Sequence, residues 1–163
     1  MTPSHSNSDK VEVCVSALEE ILPLRHAILR PGRPLETARY ANDNEPGVRH
    51  FGAYRGGKLL SVVSVYPADM PDRPGIAAIQ LRGMATRPEA RGTGLGSILV
   101  AAALDFTREQ GARILWCNAR SAAVDFYRGL GFEVVSDEFE LPNIGPHFLM
   151  MVRSESSRAT ARP

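Results

Sequence analysis

Apolar and polar positions follow distinct rhythms along the chain, and those rhythms lay out its elements. VEVCV at 11–15 is a short β-rich run. Leu18, Ile21, Leu22 and Ile28 then recur at helical spacing within Ala17 to Leu29, with Pro23 interrupting them, which predicts a strand and then a bent or broken helix. RPGRPLETARYANDNEPG is dense in Pro, Gly, Asn and charge and longer than a plain connection. Such a loop often covers a binding site. RHFGAYRGGKLLSVVSVYP gives two β-rich runs around Gly56-Gly57, a two-residue hairpin signal.

The run Ile76 to Thr86 reads as a strand whose faces follow from parity: Ile79, Leu81, Gly83 and Ala85 on one side, Ala78, Gln80, Arg82 and Met84 on the other. Leu95, Ile98, Leu99, Ala102 and Phe106 recur as on a helix that Gly111 can stop. ARILWCNA suits a buried strand ending near Asn118, and Ser121 to Leu130 a short amphipathic helix. Phe132 to Val135 and His147 to Val152 supply two more strands. The order is β, α, then β β β α β α β β, an α/β chain without internal repeat or linker. It predicts one domain over 11–153 between flexible ends at 1–10 and 154–163.

Composition narrows what such a domain does. The 163 residues carry 19 basic and 18 acidic side chains, a net charge of +1 that is too balanced for gripping a nucleic-acid backbone. Cys14 and Cys117 are the only cysteines and no His/Cys cluster occurs, so neither a disulfide framework nor a metal site is indicated. No signal peptide or membrane-length apolar run is present, and a cytoplasmic location is expected.

The stretch PEARGTGLG, residues 88–96, enters the helix at Leu95 with three glycines at every second position. A helix N-terminus presents unpaired N–H groups and a partial positive charge, and glycines let an anion approach them. A Walker loop needs GxxxxGK, and no lysine lies between 87 and 111. The dinucleotide fingerprint needs GxGxxG, whereas the spacing here is GxGxG.

RxxGxG at Arg91, Gly94 and Gly96, followed in order by NARSAAVDFYRGLGFEVV, resembles the two signatures of the GNAT superfamily of acetyl-CoA-dependent N-acyltransferases, over roughly residues 11–153. The resemblance implies a mixed, mostly antiparallel sheet of about six to seven strands with about four helices, splayed between the fourth and fifth strands. It implies that the backbone of Arg91, Gly92, Thr93, Gly94, Leu95, Gly96 and Ser97 holds the coenzyme A pyrophosphate, and that Met84, Ala85 and Thr86 lie along the pantetheine arm. Asn118 matches the position that hydrogen-bonds this arm or the substrate, and Tyr127 that of the general acid. A thiolate of pKa about 8.5 departs when an amine attacks, and a phenol near 10 can donate to it.

Where many members carry a fourth-strand Glu as base, this chain has Gln80. His147 and Glu140 are the alternatives, and a water chain to a more distant group is another. Arg82, on the Gln80 face, either grips a substrate carboxylate or makes an internal salt bridge. Arg25, His26, Arg30 and Arg33, in the region bordering the acceptor site in this family, form either a solvated face or a site for an acidic acceptor. The implied function is transfer of acetyl from acetyl-CoA to a primary amine of a small molecule or peptide, without metal, nucleic acid or membrane. Absence of the Glu leaves a non-catalytic acyl-CoA sensor as the alternative. Homodimers are common in the family.

Overall fold

The computed structural model describes residues 9–155; the expected flexible ends lie almost wholly outside them. The chain forms β1 (Val11–Ser16), α1 (Leu18–Leu29), β2 (Arg49–Arg55), β3 (Lys58–Pro67), β4 (Ala78–Thr86), α2 (Leu95–Glu109), β5 (Ile114–Arg120), α3 (Val124–Gly129), β6 (Glu133–Val134), β7 (Phe139–Leu141) and β8 (Gly145–Arg153). The eight strands run β1-β2-β3-β4-β5-β8-β6, with β7 on β8. β1 pairs antiparallel with β2, as β5, β6 and β7 do with β8, whereas β4 and β5 are parallel. That parallel ladder covers Ala78–Gln80 against Ile114–Trp116. Three α-helices are described instead of about four, with single 3-10 turns at Leu35–Ala38, Pro88–Ala90 and Ser121–Ala123.

By contacts the chain divides into two compact units, one holding the residues up to Ser64 with Gly83–Ala102, the other Val65–Arg82 with the residues from Ala103 onward. In the first, Leu18, Ile21, Leu22 and Leu24 of α1 pack with Ala38, Val62 and Ala85. In the second, Met70, Ala78, Ile114, Trp116, Leu149 and Met151 form a core, and Trp116 Nε1 donates to the Ala68 carbonyl at 2.9 Å.

α1 runs unbroken from Leu18 to Leu29 with Pro23 inside it, so the break that Pro23 could have made does not occur. Pro23 lies on the exposed side, opposite the stripe that carries the core contacts. The lost backbone bond costs about 3 kcal/mol, a sum that burial of two or more aliphatic side chains offsets.

That stripe also carries Arg25, which overturns its reading as part of a solvated or acceptor-binding basic cluster. Arg25 is fully buried. Its guanidinium donates to both Asp43 carboxylate oxygens at 2.8 and 3.2 Å, to the Ala38 carbonyl at 2.9 Å and to Ser64 Oγ at 2.8 Å. It lies 4.2 Å from the centroid of the Tyr40 ring. Asp43 and Tyr40 come from the long loop before β2, so a buried ion pair ties that loop down. His26, Arg30 and Arg33 lie nearby in sequence but serve the chain locally: His26 Nε2 donates to the Arg33 carbonyl at 2.6 Å, and Arg30 to that of Leu29 at 2.9 Å.

His50 completes the network. Its Nε2 donates to the Asp43 carbonyl at 3.1 Å, which leaves Nδ1 to accept from the Ser64 hydroxyl at 2.6 Å. Burial first, then the Arg25 charge, holds its pKa below the ordinary 6.5 despite the opposing Asp43.

Two outcomes follow for stability. Asp43→Ala strands a buried guanidinium and lowers unfolding free energy by about 3–5 kcal/mol in urea titration, whereas a loss under about 1 kcal/mol would remove the pair from the stability account. Because His50 takes up its proton more readily unfolded than folded, its contribution is complete above pH 6.5 and declines as pH falls below it. His50→Gln therefore flattens the stability profile below pH 6.5, and parallel profiles would contradict the assignment.

Candidate active site

The turn Pro88–Ala90 leads from β4 into the glycine loop, and α2 begins at Leu95. Arg91 N–H donates to the Pro88 carbonyl at 3.3 Å, so the open amides begin one residue later than the sequence suggested. Among the described residues, the N–H groups of Gly92 through Ser97 meet no acceptor, and the helical ladder starts with Ile98 donating to Gly94 at 3.2 Å. Thr93 Oγ1 pins the loop by donating to the Ala90 carbonyl at 2.6 Å. Gly92 and Gly94 have φ of +75° and +85°, and a Cβ on either would point into open space. Their role is conformation and access, not packing. Leu95, almost fully buried, anchors the first turn. Six free amides at a helix start can hold a multiply charged anion such as a pyrophosphate.

The parity assigned to β4 fails at Gly83. Its φ is +68°, and a Cβ there would lie 3.0 Å from Arg25 Nε and 3.3 Å from the Tyr40 ring, so it faces α1, as does Ala85. Arg82 lies over Tyr66 at 5.8 Å, and Tyr66 shares its face of β3 with Ser64, which also meets α1's Arg25. Consecutive residues Arg82 and Gly83 thus point to one side, the mark of a β-bulge that glycine permits. Beyond it Ser61 Oγ donates to the Ala85 carbonyl at 3.2 Å and shares a 2.7 Å hydrogen bond with Thr86 Oγ1. Met84 and Thr86 are half-buried and Ala85 buried.

In the second unit, Gln80 pairs with Trp116, Asn118 with Leu149 and Arg120 with His147, so Gln80, Asn118 and His147 share one face. Asn118 lies within β5, two residues before its end, and is exposed. His147 lies inside β8, which begins two residues earlier at Gly145. Its ring is buried and stacked on Phe139 at 6.1 Å, and Nδ1 donates to the Gly145 carbonyl at 2.8 Å, which leaves Nε2 as the acceptor nitrogen. Glu140 is exposed and, by alternation from Phe139, points to the other face.

Tyr127 belongs to the opposite side of β5. Its ring packs on Phe132 at 5.2 Å in buried surroundings, and its neighbour Cys117 alternates with Asn118. Burial, then Cys117, pushes the phenol well above its ordinary 10.0, and burial pushes the Cys117 thiol up to about 12. The structure therefore groups Gln80, Asn118 and His147 and sets Tyr127 apart from them across the strand.

Two other places invite a chemical reading. The Ser64–His50 pair has nucleophile-and-base spacing but is sealed in the core. A depression of about 470 Å³ over β1 is bordered by Cys14, Ser16, Glu20 and Tyr54, whose polar groups bond one another: Ser16 Oγ with Tyr54 at 2.7 Å and Tyr54 to Glu20 at 3.1 Å. Among the described residues no three His, Cys, Asp or Glu side chains gather as a metal site, and no helix is long and apolar enough to cross a membrane.

Comparison with known proteins bears on this arrangement. Residues 17–132 match the model of the acetyltransferase (GNAT) family. The uncharacterized N-acetyltransferase YitI of Bacillus subtilis (strain 168) is 34% identical over 148 residues, 91% of this chain and 99% of its own. A GCN5-related N-acetyltransferase from Kribbella flavida superposes with a TM-score of 0.66 at 22% identity, over 88% of this chain and 97% of its own. FeeM, an N-acyl amino acid synthase from uncultured soil microbes, gives a TM-score of 0.74 at 14% identity, over 92% and 94%. The chain belongs to the GNAT family of acetyltransferases, enzymes that use acetyl-CoA as co-substrate.

Proposed function

We propose that the protein transfers acetyl from acetyl-CoA to a primary amine of a small molecule or peptide by direct attack of the amine within a ternary complex. The observation that carries the reading is the run of six open amides from Gly92 to Ser97, with no Cβ at the two left-handed positions. They fit the pyrophosphate of coenzyme A, and the β4 edge at Met84, Ala85 and Thr86 offers backbone groups to the pantetheine arm. Acetyl-CoA supplies the thioester. Direct attack is favoured over a covalent acyl-enzyme because Cys117 is buried with its pKa pushed up to about 12, far from a nucleophilic thiolate at neutral pH.

Tyr127 serves as hydrogen-bond donor and acid to the leaving sulfur. Its raised pKa keeps the phenol neutral, so it stabilises the departing thiolate by donating a hydrogen bond to the sulfur as charge develops there. Asn118 holds the arm or the acceptor, and Gln80 and Arg82 border the acceptor. Among the two titratable candidates for the base, His147 is favoured over Glu140 because it alone shares the Gln80–Asn118 face, with Nε2 the receiving nitrogen.

Thiol release from acetyl-CoA across a panel of amines and amino acids tests the reading; amine-dependent release is expected, and binding without release over the whole panel would reject it. Gly94→Ala, strained at φ +85°, weakens coenzyme A binding by at least about tenfold in calorimetry, with wild-type affinity contradicting the cradle. Tyr127→Phe lowers turnover at least about tenfold with coenzyme A affinity nearly unchanged. Since the Tyr127 pKa lies above 10.0, wild-type turnover shows no falling limb from this group below that pH. A lower-pH limb that Tyr127→Phe abolishes would contradict the assignment.

A further inference from the structure

We propose that Arg25 is a positioning residue for the acyl donor: its guanidinium is the fixed surface against which the Gly83 bulge sets the Met84–Thr86 edge of β4. The inference rests on the reading that this edge receives the pantetheine arm. Four hydrogen bonds, to Asp43 twice, Ser64 and the Ala38 carbonyl, leave the guanidinium one orientation, and the Tyr40 ring covers one of its faces at 4.2 Å. The space a Cβ on Gly83 would take is bounded by Arg25 Nε at 3.0 Å and Tyr40 at 3.3 Å. The bulge is therefore seated on the network itself.

Stability alone is a weak reason for such a group. A buried ion pair is often matched or bettered by apolar side chains of similar volume, whereas a hydrogen-bonded guanidinium fixes a plane and a direction. The segment after the bulge is held just as firmly. Ser61 binds Ala85 and Thr86, Arg87 N–H donates to the Leu60 carbonyl at 2.8 Å, and Arg87 Nε to that of Leu59 at 2.6 Å. Main-chain groups of Met84 thus lie between two clamps, with Arg25 forming the first. A small displacement at that end moves the donor-binding edge relative to the Gly92–Ser97 amides in the same unit.

Ser64→Ala removes one anchor of the guanidinium, and Gly83→Ala pushes the strand off it while leaving the network's residues in place. On the full-length protein, coenzyme A affinity by calorimetry and KM for acetyl-CoA and for the amine are measured well below each variant's Tm. Each variant is expected to weaken coenzyme A binding and raise the acetyl-CoA KM about fivefold or more, with the amine KM nearly unchanged. The double variant should lose little beyond the worse single one, because both act through one contact. A lowered Tm with unchanged donor affinity and KM would overturn the inference and leave Arg25 a stabilising residue. If Gly83→Ala does not fold, Ser64→Ala decides by the same readout. Wild-type protein that binds no coenzyme A would overturn the donor reading and this inference with it; wild-type binding that Ser64→Ala leaves intact overturns the inference alone.

Discussion

The buried guanidinium of Arg25 is the constraint on which much of the first unit depends. A charge with no exposure is tolerated only when it is paired and hydrogen-bonded, as the two terminal nitrogens of this guanidinium are. Here the partners named come from two stretches outside its own helix, the long loop that supplies Ala38, Tyr40 and Asp43, and β3 with Ser64. Closing that set fixes the loop, fixes the His50 tautomer and dictates that position 83 have no side chain. Thus one residue links the packing of α1 to the shape of β4.

The second unit is organised differently, by a ladder of paired strands with a different chemistry on each side. One face of β5 offers Trp116 to the core and Asn118 to solvent, and the other offers Cys117 toward Tyr127. The two proposed functions follow this division. A neutral phenol in apolar surroundings is suited to donating a hydrogen bond, and an exposed amide to accepting or giving one. Family membership accounts for acetyl transfer in general, while the division of labour among these side chains is particular to the proposal.

Much of this was legible in the sequence because it rests on local rules. Gly56-Gly57 specifies a hairpin through backbone chemistry, the apolar run before Asn118 a buried strand, and the glycines before Leu95 a loop entering a helix. What escaped depends on tertiary context. Pro23 argues for a break from local chemistry alone, and burial of Leu18, Ile21, Leu22 and Leu24 on the other side of the helix outweighs the bond it removes. Arg25 falls at helical spacing from Leu18, Ile21 and Leu22, so the signal of its burial was present in the periodicity that identified the helix; its charge argued for the surface. The Gly83 bulge reverses a parity that is sound for a regular strand. The short strand β7 has too few residues to show a period.

Direct transfer in a ternary complex is the central claim, and initial-rate kinetics with acetyl-CoA and an accepted amine varied together test it most directly. Reciprocal plots that intersect are the predicted result, since both substrates must be bound before the thioester is broken. Parallel lines, the pattern of a covalent acyl-enzyme formed and discharged in turn, would contradict it.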